Sequence, residues 1–238
     1  RRHTRSFHVT GVQTCALPIL AALNNALKLV KKDLNDCKIA MSGVGAAGTA
    51  IARLLVASGA KNIIGFDKDG LVCDHKSGDD AVRSWFVENC SPGDFRGSIH
   101  EALNRADIFI GVSAPNIINE ADVKSMAKDS IVFALANPDP EIDPVIARKY
   151  CAVVATGRSD QPNQINNVLA FPGIFRGLLD GRITKINDKM LIAAAQAIAS
   201  CVSDQQLNAN FIVPSVFDSN VVTKVAEAVK SLGKSALK

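Results

Sequence analysis

Short apolar runs alternate along this chain with longer stretches whose apolar positions recur at helical spacing. Ile39-Ala40-Met41, Asn62-Ile63-Ile64-Gly65-Phe66, Asp107 to Val112, Ser130 to Leu135 and Ala152 to Ala155 read as buried strands. Helices are expected over Leu20 to Leu29, Thr49 to Ser58, Ala81 to Asn89, Ile99 to Arg105, Glu120 to Ala127 and Pro144 to Tyr150. Ser98 and Asn119 stand where caps belong. Two more helices are expected from Asn187 to Cys201 and from Asp218 to Leu232, with Phe211 to Pro214 an extended packing segment between them. Strands alternating with helices of this length imply βαβ units, a parallel sheet and right-handed crossovers. The fold class is α/β.

Ser42-Gly43-Val44-Gly45-Ala46-Ala47-Gly48 leaves the first strand and opens a helix with the G-x-G-x-x-G spacing. Gly43 permits the tight turn, Gly45 lets backbone come close to a pyrophosphate, and Gly48 lets the helix pack tightly on the strand. The helix start adds free N–H groups and a partial positive charge for phosphates. Asp67 closes the second strand, 19 residues past Gly48, where an acid can accept from a ribose and disfavour a 2′-phosphate. Together these features specify a doubly wound, Rossmann-type sheet that binds a dinucleotide.

In such sheets ligands sit beyond the carboxyl ends of the strands. That rule selects the glycine loop, Ser113-Ala114-Pro115, Asn137-Pro138 and the loop from Gly157 onward. Each has a plainer reading as well. Asp67 could be an ordinary strand-end acid, Ser113 a turn residue, and Asn137 before Pro138 a turn signal. Arg158 and Asp160 read as a pair that braces its own loop, and His75 and His100 as lone surface residues.

Composition narrows the class. A net charge of +4 over 238 residues, no Lys/Arg run, one Trp and one Tyr argue against a nucleic-acid partner. The six cysteines form no C-x-x-C pair, as expected of reduced thiols in a cytoplasmic protein. No apolar stretch is long enough to span a membrane, so no membrane partner is expected.

The next stretch is unusual. Gln161-Pro162-Asn163-Gln164-Ile165-Asn166-Asn167 concentrates amides, neutral donors and acceptors, ahead of an apolar, helix-like run. From Leu20 onward the chain resembles the NAD(P)-binding domain of bacterial malic enzymes. The resemblance rests on residues 42–48, Ile110 to Pro115, Phe133 to Pro138, and above all Thr156-Gly-Arg-Ser-Asp-Gln-Pro-Asn-Gln-Ile-Asn-Asn-Val-Leu-Ala-Phe-Pro-Gly173. The last block is long and specific, whereas the glycine loop is common to many dehydrogenases.

The resemblance implies an enzyme that oxidises malate with NAD, or possible NADP, and decarboxylates the product to pyruvate and carbon dioxide with a divalent Mg or Mn ion. It implies that Gly43, Val44, Gly45, Ala46, Ala47 and Gly48 cradle the pyrophosphate; Asp67 and Ser113 are further cofactor contacts expected from their places at strand ends. Asn137 would lie near nicotinamide and substrate, and Asn166 or Asn167 would bind malate. A homodimer or higher homo-oligomer is expected of the intact enzyme.

In that family the tyrosine acid, the lysine base and the metal carboxylates precede the position of Leu20. Here Thr10 to Ile19 hold no acid, and no catalytic or metal residue is assigned to this chain. Val9 to Ile19 resembles translated sequencing-adapter read-through. Residues 1–19 are therefore expected to be a non-native or disordered leader, and residues 20–238 a cofactor domain without its catalytic partner. A dinucleotide-binding module without chemistry, and the cofactor domain of an amino-acid dehydrogenase, are the alternatives.

Overall fold

The computed structural model describes residues 11–75, 80–90 and 92–235. The basic start of the expected leader, the middle of the polar stretch 74–80 and Ser91 lie outside the described residues. The chain opens with α1 (Gly11–Val30), β1 (Lys38–Ser42), α2 (Ala46–Ala57), β2 (Asn62–Asp67) and β3 (Gly70–Leu71). Next come α3 (Ala81–Asn89), α4 (Ile99–Leu103), β4 (Ile108–Gly111), α5 (Glu120–Ser125) and β5 (Ile131–Ala134). It ends with α6 (Pro144–Ala147), β6 (Val153–Thr156), α7 (Phe171–Gly181), α8 (Asp188–Ala199) and α9 (Ser219–Ser235).

The sheet runs β3-β2-β1-β4-β5-β6. All pairings are parallel except β3, which folds back on β2 with Phe66 opposite Leu71 and Asp67 opposite Gly70. This is the doubly wound order, with the direction of winding reversing between β1 and β4. The register sets the site. Ser42 lies opposite Gly111, Gly111 opposite Ala134, and Ala134 opposite Thr156. The glycine loop, the Ser113 loop, the Asn137 loop and the Gly157 loop thus leave the sheet from a single row.

Both faces of the sheet are buried, which is why its strands read as continuous apolar runs. Ile39, Met41, Ile110 and Phe133 pack with α1, α2 and α8 in one core, while Ala40, Phe109, Val132 and Val154 form the other. Caps fall where the polar residues foretold. Ser98 and Glu101 make a reciprocal capping box, as do Asn119 and Asp122, and Asn187 caps α8.

The first helix reaches further towards the N-terminus than the expected domain start at Leu20. The first helix begins at Gly11, and Ala16, Leu17 and Ile19 are fully or almost fully buried in the core with Leu20 and Leu23. Pro18 sits inside that helix. Proline in a helix interior costs about 3 kcal/mol. Here the apolar stripe continues across it, and burial of three more side chains offsets the loss. Ala16, Leu17 and Ile19 thus pack in the same core as the helix that follows. His100 also differs from expectation. Its Nδ1 lies 2.8 Å from Oδ2 of the buried Asp122, so it is half-exposed and partnered.

Candidate dinucleotide site

The glycine loop closes on itself. Gly43 holds a φ of 94°, open to glycine at little cost, and its N–H donates to Phe66 O at 2.8 Å. A Cβ on Gly48 would stand 1.7 Å from Gly43 O, so only glycine lets the start of α2 lie against the turn. Gly45 is the opposite case: it is exposed, and a Cβ built there meets nothing within 4 Å. Gly45 is the N-cap of α2, with no side-chain cap bond and no acid in the first turn. The helix therefore presents uncapped N–H groups and its positive end to open space.

The loops beyond β4 and β5 are tied together below that space. Glu141 is fully buried; its Oε1 accepts from Ser113 N and its Oε2 from Ala136 N, each at 3.0 Å. Asn116 N donates to Pro140 O at 3.1 Å and Ile118 N to Glu141 O at 3.2 Å. A Cβ on Gly111 would come within 2.3 Å of Glu141 Cδ, so the strand needs glycine there. Burial pushes the Glu141 carboxyl above its usual range, and the backbone N–H bonds only partly oppose it. Ser42 and Ser113 join the two strand ends by a 2.7 Å hydroxyl–hydroxyl bond. The Asn137-Pro138 bond is cis.

The amide block divides its labour. Asn163 is buried with φ 58°, and its Nδ2 donates to Val154 O at 3.0 Å and Ala209 O at 2.7 Å. Its Oδ1 accepts from Ile212 N at 3.0 Å, so this amide clamps β6 to the 209–212 segment. Asn25 does the same from α1, donating to Ala199 O and Ile212 O. Asn166 Oδ1 caps a 3-10 turn over Asn167–Leu169 by accepting from Val168 N. Asn167 Nδ2 donates to Cys15 Sγ at 2.9 Å. Arg158 forks onto Asp160 at 2.8 and 2.9 Å, the loop brace its sequence position suggested.

A cleft of about 360 Å³ collects part of the expected set: Ala47, Asn137, Asn166 and Asn167 line it with Val112 and Gly157. A hollow of about 270 Å³ shares Asn137 and Gly157 and adds Arg158 and Asp160. Asp67 is not among the lining residues of either hollow, and neither are Ser113, Gly43 or Gly45. Asp67 forms an ion pair with Arg83 of α3, and its Oδ1 accepts from Asp69 N at 2.8 Å. Arg83, Glu141, Asn25 and Asn163 carry roles that the sequence did not announce. For Glu141 the sequence holds one signal, Gly111, a glycine inside a strand that marks a close neighbour.

Among the described residues no carboxylate or imidazole lines the larger cleft. No group of three or more His, Cys, Asp and Glu side chains that could hold a metal exists among the described residues. The chemistry available here is that of neutral amides, backbone N–H groups and a helix start. These groups can bind and orient a ligand.

The strand order, the uncapped helix behind Gly43-Val44-Gly45 and the cleft at the switch point define a dinucleotide-binding α/β domain. Residues 12–233 match the model of the family described as "Malic enzyme, NAD binding domain", and the chain belongs to that family. It is 51% identical over 214 residues to an NAD-dependent malic enzyme of Geobacillus stearothermophilus, covering 90% of this chain and 45% of that one. It is 38% identical over 227 residues to an NADP-dependent malic enzyme of Salmonella typhimurium, covering 88% of this chain and 30% of the relative. The crystal structure of an NAD-dependent malic enzyme from Thermotoga maritima superimposes with a TM-score of 0.85 at 40% identity, over 92% of this chain and 58% of that one. The chain thus spans about half or less of the sequence relatives' length. The amino-acid dehydrogenase alternative gives way to this family. No helix among the described residues is long and apolar enough to cross a membrane.

Proposed function

We propose that this chain is the dinucleotide-holding part of a malic enzyme that oxidises malate with NAD or NADP and decarboxylates the product to pyruvate and carbon dioxide. The observation that carries the reading is the meeting of Asn137, Asn166 and Asn167 with the start of α2 in one cleft. The N–H groups at residues 43–48 hold the pyrophosphate, drawn close because Gly45 has no side chain and the space beside it is open. Asp67 and Arg83 meet the adenosine ribose. Ser113 and Asn137 contact the cofactor on the other side of the switch point, and Asn166 or Asn167 binds malate.

A nicotinamide held here would accept hydride from C2 of malate, and the hydroxyl proton would have to pass to a base. Neutral amides suit that step because they hold a carboxylate without competing for the proton. A Mg or Mn ion would polarise the C2 oxygen, and the described residues form no cluster of three or more His, Cys, Asp and Glu that would hold it. The intact enzyme works in the cytoplasm as a homodimer or higher homo-oligomer.

The isolated chain tests the cofactor half directly. NAD at about a hundred times its Kd stabilises a binding protein by about 2.7 kcal/mol, which raises the melting temperature measurably. Malate alone should leave the melting temperature unchanged. Joined to the remaining half of a malic enzyme, the chain should support malate-dependent NADH or NADPH formation. A melting temperature indifferent to both NAD and NADP would overturn the reading. Cofactor binding with no turnover in the joined protein would instead favour a binding module without chemistry.

A further inference from the structure

We infer that Glu141 is a positioning residue for the cofactor: its carboxylate fixes the distance between the loops that follow β4 and β5, and so the spacing of the wall on which the dinucleotide rests. The inference rests on the dinucleotide-binding reading above and names the residue that holds that site in shape.

The geometry is a two-handed clasp. Oε1 takes Ser113 N and Oε2 takes Ala136 N, both at 3.0 Å, and these amides belong to different strand ends. Only a carboxylate at this position offers two acceptors to two inward-facing donors. An amide side chain would turn its own NH₂ against one of them. Ser113 in turn meets Ser42 at the end of β1, and Ala136 directly precedes Asn137 in the cleft wall. One side chain therefore governs residues on three adjacent strand ends.

Stability alone does not account for it. Glu141 is 0% exposed, and the groups that shift its carboxyl are burial and backbone N–H bonds, with no cation among them. Burying a carboxyl group is an expensive way to join two loops. Gly111 gives up its side chain to make room for this one, since a Cβ there would sit 2.3 Å from Cδ. The arrangement costs stability and yields a fixed spacing at the cofactor wall.

The test compares Glu141→Gln and Glu141→Asp with the parent chain, reading both the melting temperature and the Kd for NAD by calorimetry. Glu141→Gln keeps the reach and loses the second acceptor. Glu141→Asp keeps the charge and loses the reach. Positioning predicts that each weakens NAD binding about tenfold, equivalent to about 1.4 kcal/mol, while the folded state at neutral pH survives. A folded Glu141→Gln chain with parental NAD affinity would overturn the inference, as would variants that lose melting temperature alone. Should neither variant fold, amide exchange in the parent chain decides. Saturating NAD should slow exchange at Ser113 and Ala136, and no change at either overturns the proposal. Failure of the parent chain to bind NAD would refute the cofactor reading itself, and this inference with it.

Discussion

Arg83 reaches from α3 to pair with Asp67 at the end of β2, the two side chains being 16% and 21% exposed. An acid at that position ordinarily favours a ribose hydroxyl and repels a 2′-phosphate. If Asp67 meets the ribose as proposed, the guanidinium paired with it would offset that repulsion. Arg83→Gln should therefore weaken NADP binding about tenfold more than NAD binding, and Asp67→Asn should narrow any advantage of NAD. Calorimetry with both cofactors reads the two ratios. Equal losses for NAD and NADP in Arg83→Gln would count against a 2′-phosphate role.

Two glycines of one loop should both matter for NAD but differ in what they do to stability. Gly48→Ala forces a Cβ to within 1.7 Å of Gly43 O, so the turn or the helix must move. A stability loss of about 1–3 kcal/mol is expected, with NAD binding lost alongside. Gly45→Ala meets nothing, and its stability should stay within about 0.5 kcal/mol of the parent while NAD affinity falls. Urea unfolding and NAD titration of both variants separate the cases. A stable Gly48→Ala chain would contradict the close packing described here.

The amides should divide in the same way. Asn163→Ala removes three hydrogen bonds, leaves buried partners unpaired and places alanine at a φ of 58°. We expect a loss of about 2–4 kcal/mol in unfolding free energy, with the Kd for NAD unaltered in the folded chain. Asn167→Ala should do the reverse in the joined enzyme, raising the KM for malate with little change in melting temperature. A stability profile in which Asn163→Ala is neutral would remove the clamp from the argument.

Glu141 also sets a pH dependence. Burial raises its folded pKa above that of the unfolded chain, so the native state holds this proton more tightly. Its contribution to stability is greatest below the unfolded value, about 4.3, and is lost as pH rises through the folded value. The stability of the parent relative to Glu141→Gln should therefore improve as pH falls from about 7.5 to about 5. Urea unfolding of both chains at the two pH values checks the sign. A difference that is flat, or that moves the other way, would mean the N–H bonds outweigh the burial.

Much of this fold is legible in the sequence because its strands are buried on both sides. β4 and β5 are apolar end to end, and nothing but a central parallel strand reads that way in so few residues. β3 escapes notice because two residues folded back on β2 carry no period of their own. The beginning of α1 escapes for a different reason: Pro18 is a breaker by local rules, and only the core on the far side of Leu17 overrules it.

The site is legible only in part. The glycine loop states its purpose because each glycine answers a local constraint. The amide block is conspicuous, yet nothing local separates Asn163 from Asn166 or Asn167. Their division depends on Ile212, 49 residues further on, and on a left-handed backbone at Asn163. Glu141 follows Asp139-Pro140 and looks like one more turn charge until its carboxylate is seen under two strand ends.

The register row of Ser42, Gly111, Ala134 and Thr156 has a bearing on how such a domain can be inherited. The four loops that make the cleft come from segments spread across more than a hundred residues, and each is aimed by its neighbour's hydrogen bonds. A crossover between Gly48 and Asn163 would divide that row between two parents, so both would have to supply strands that pair in the same register for the four loops to leave the sheet together.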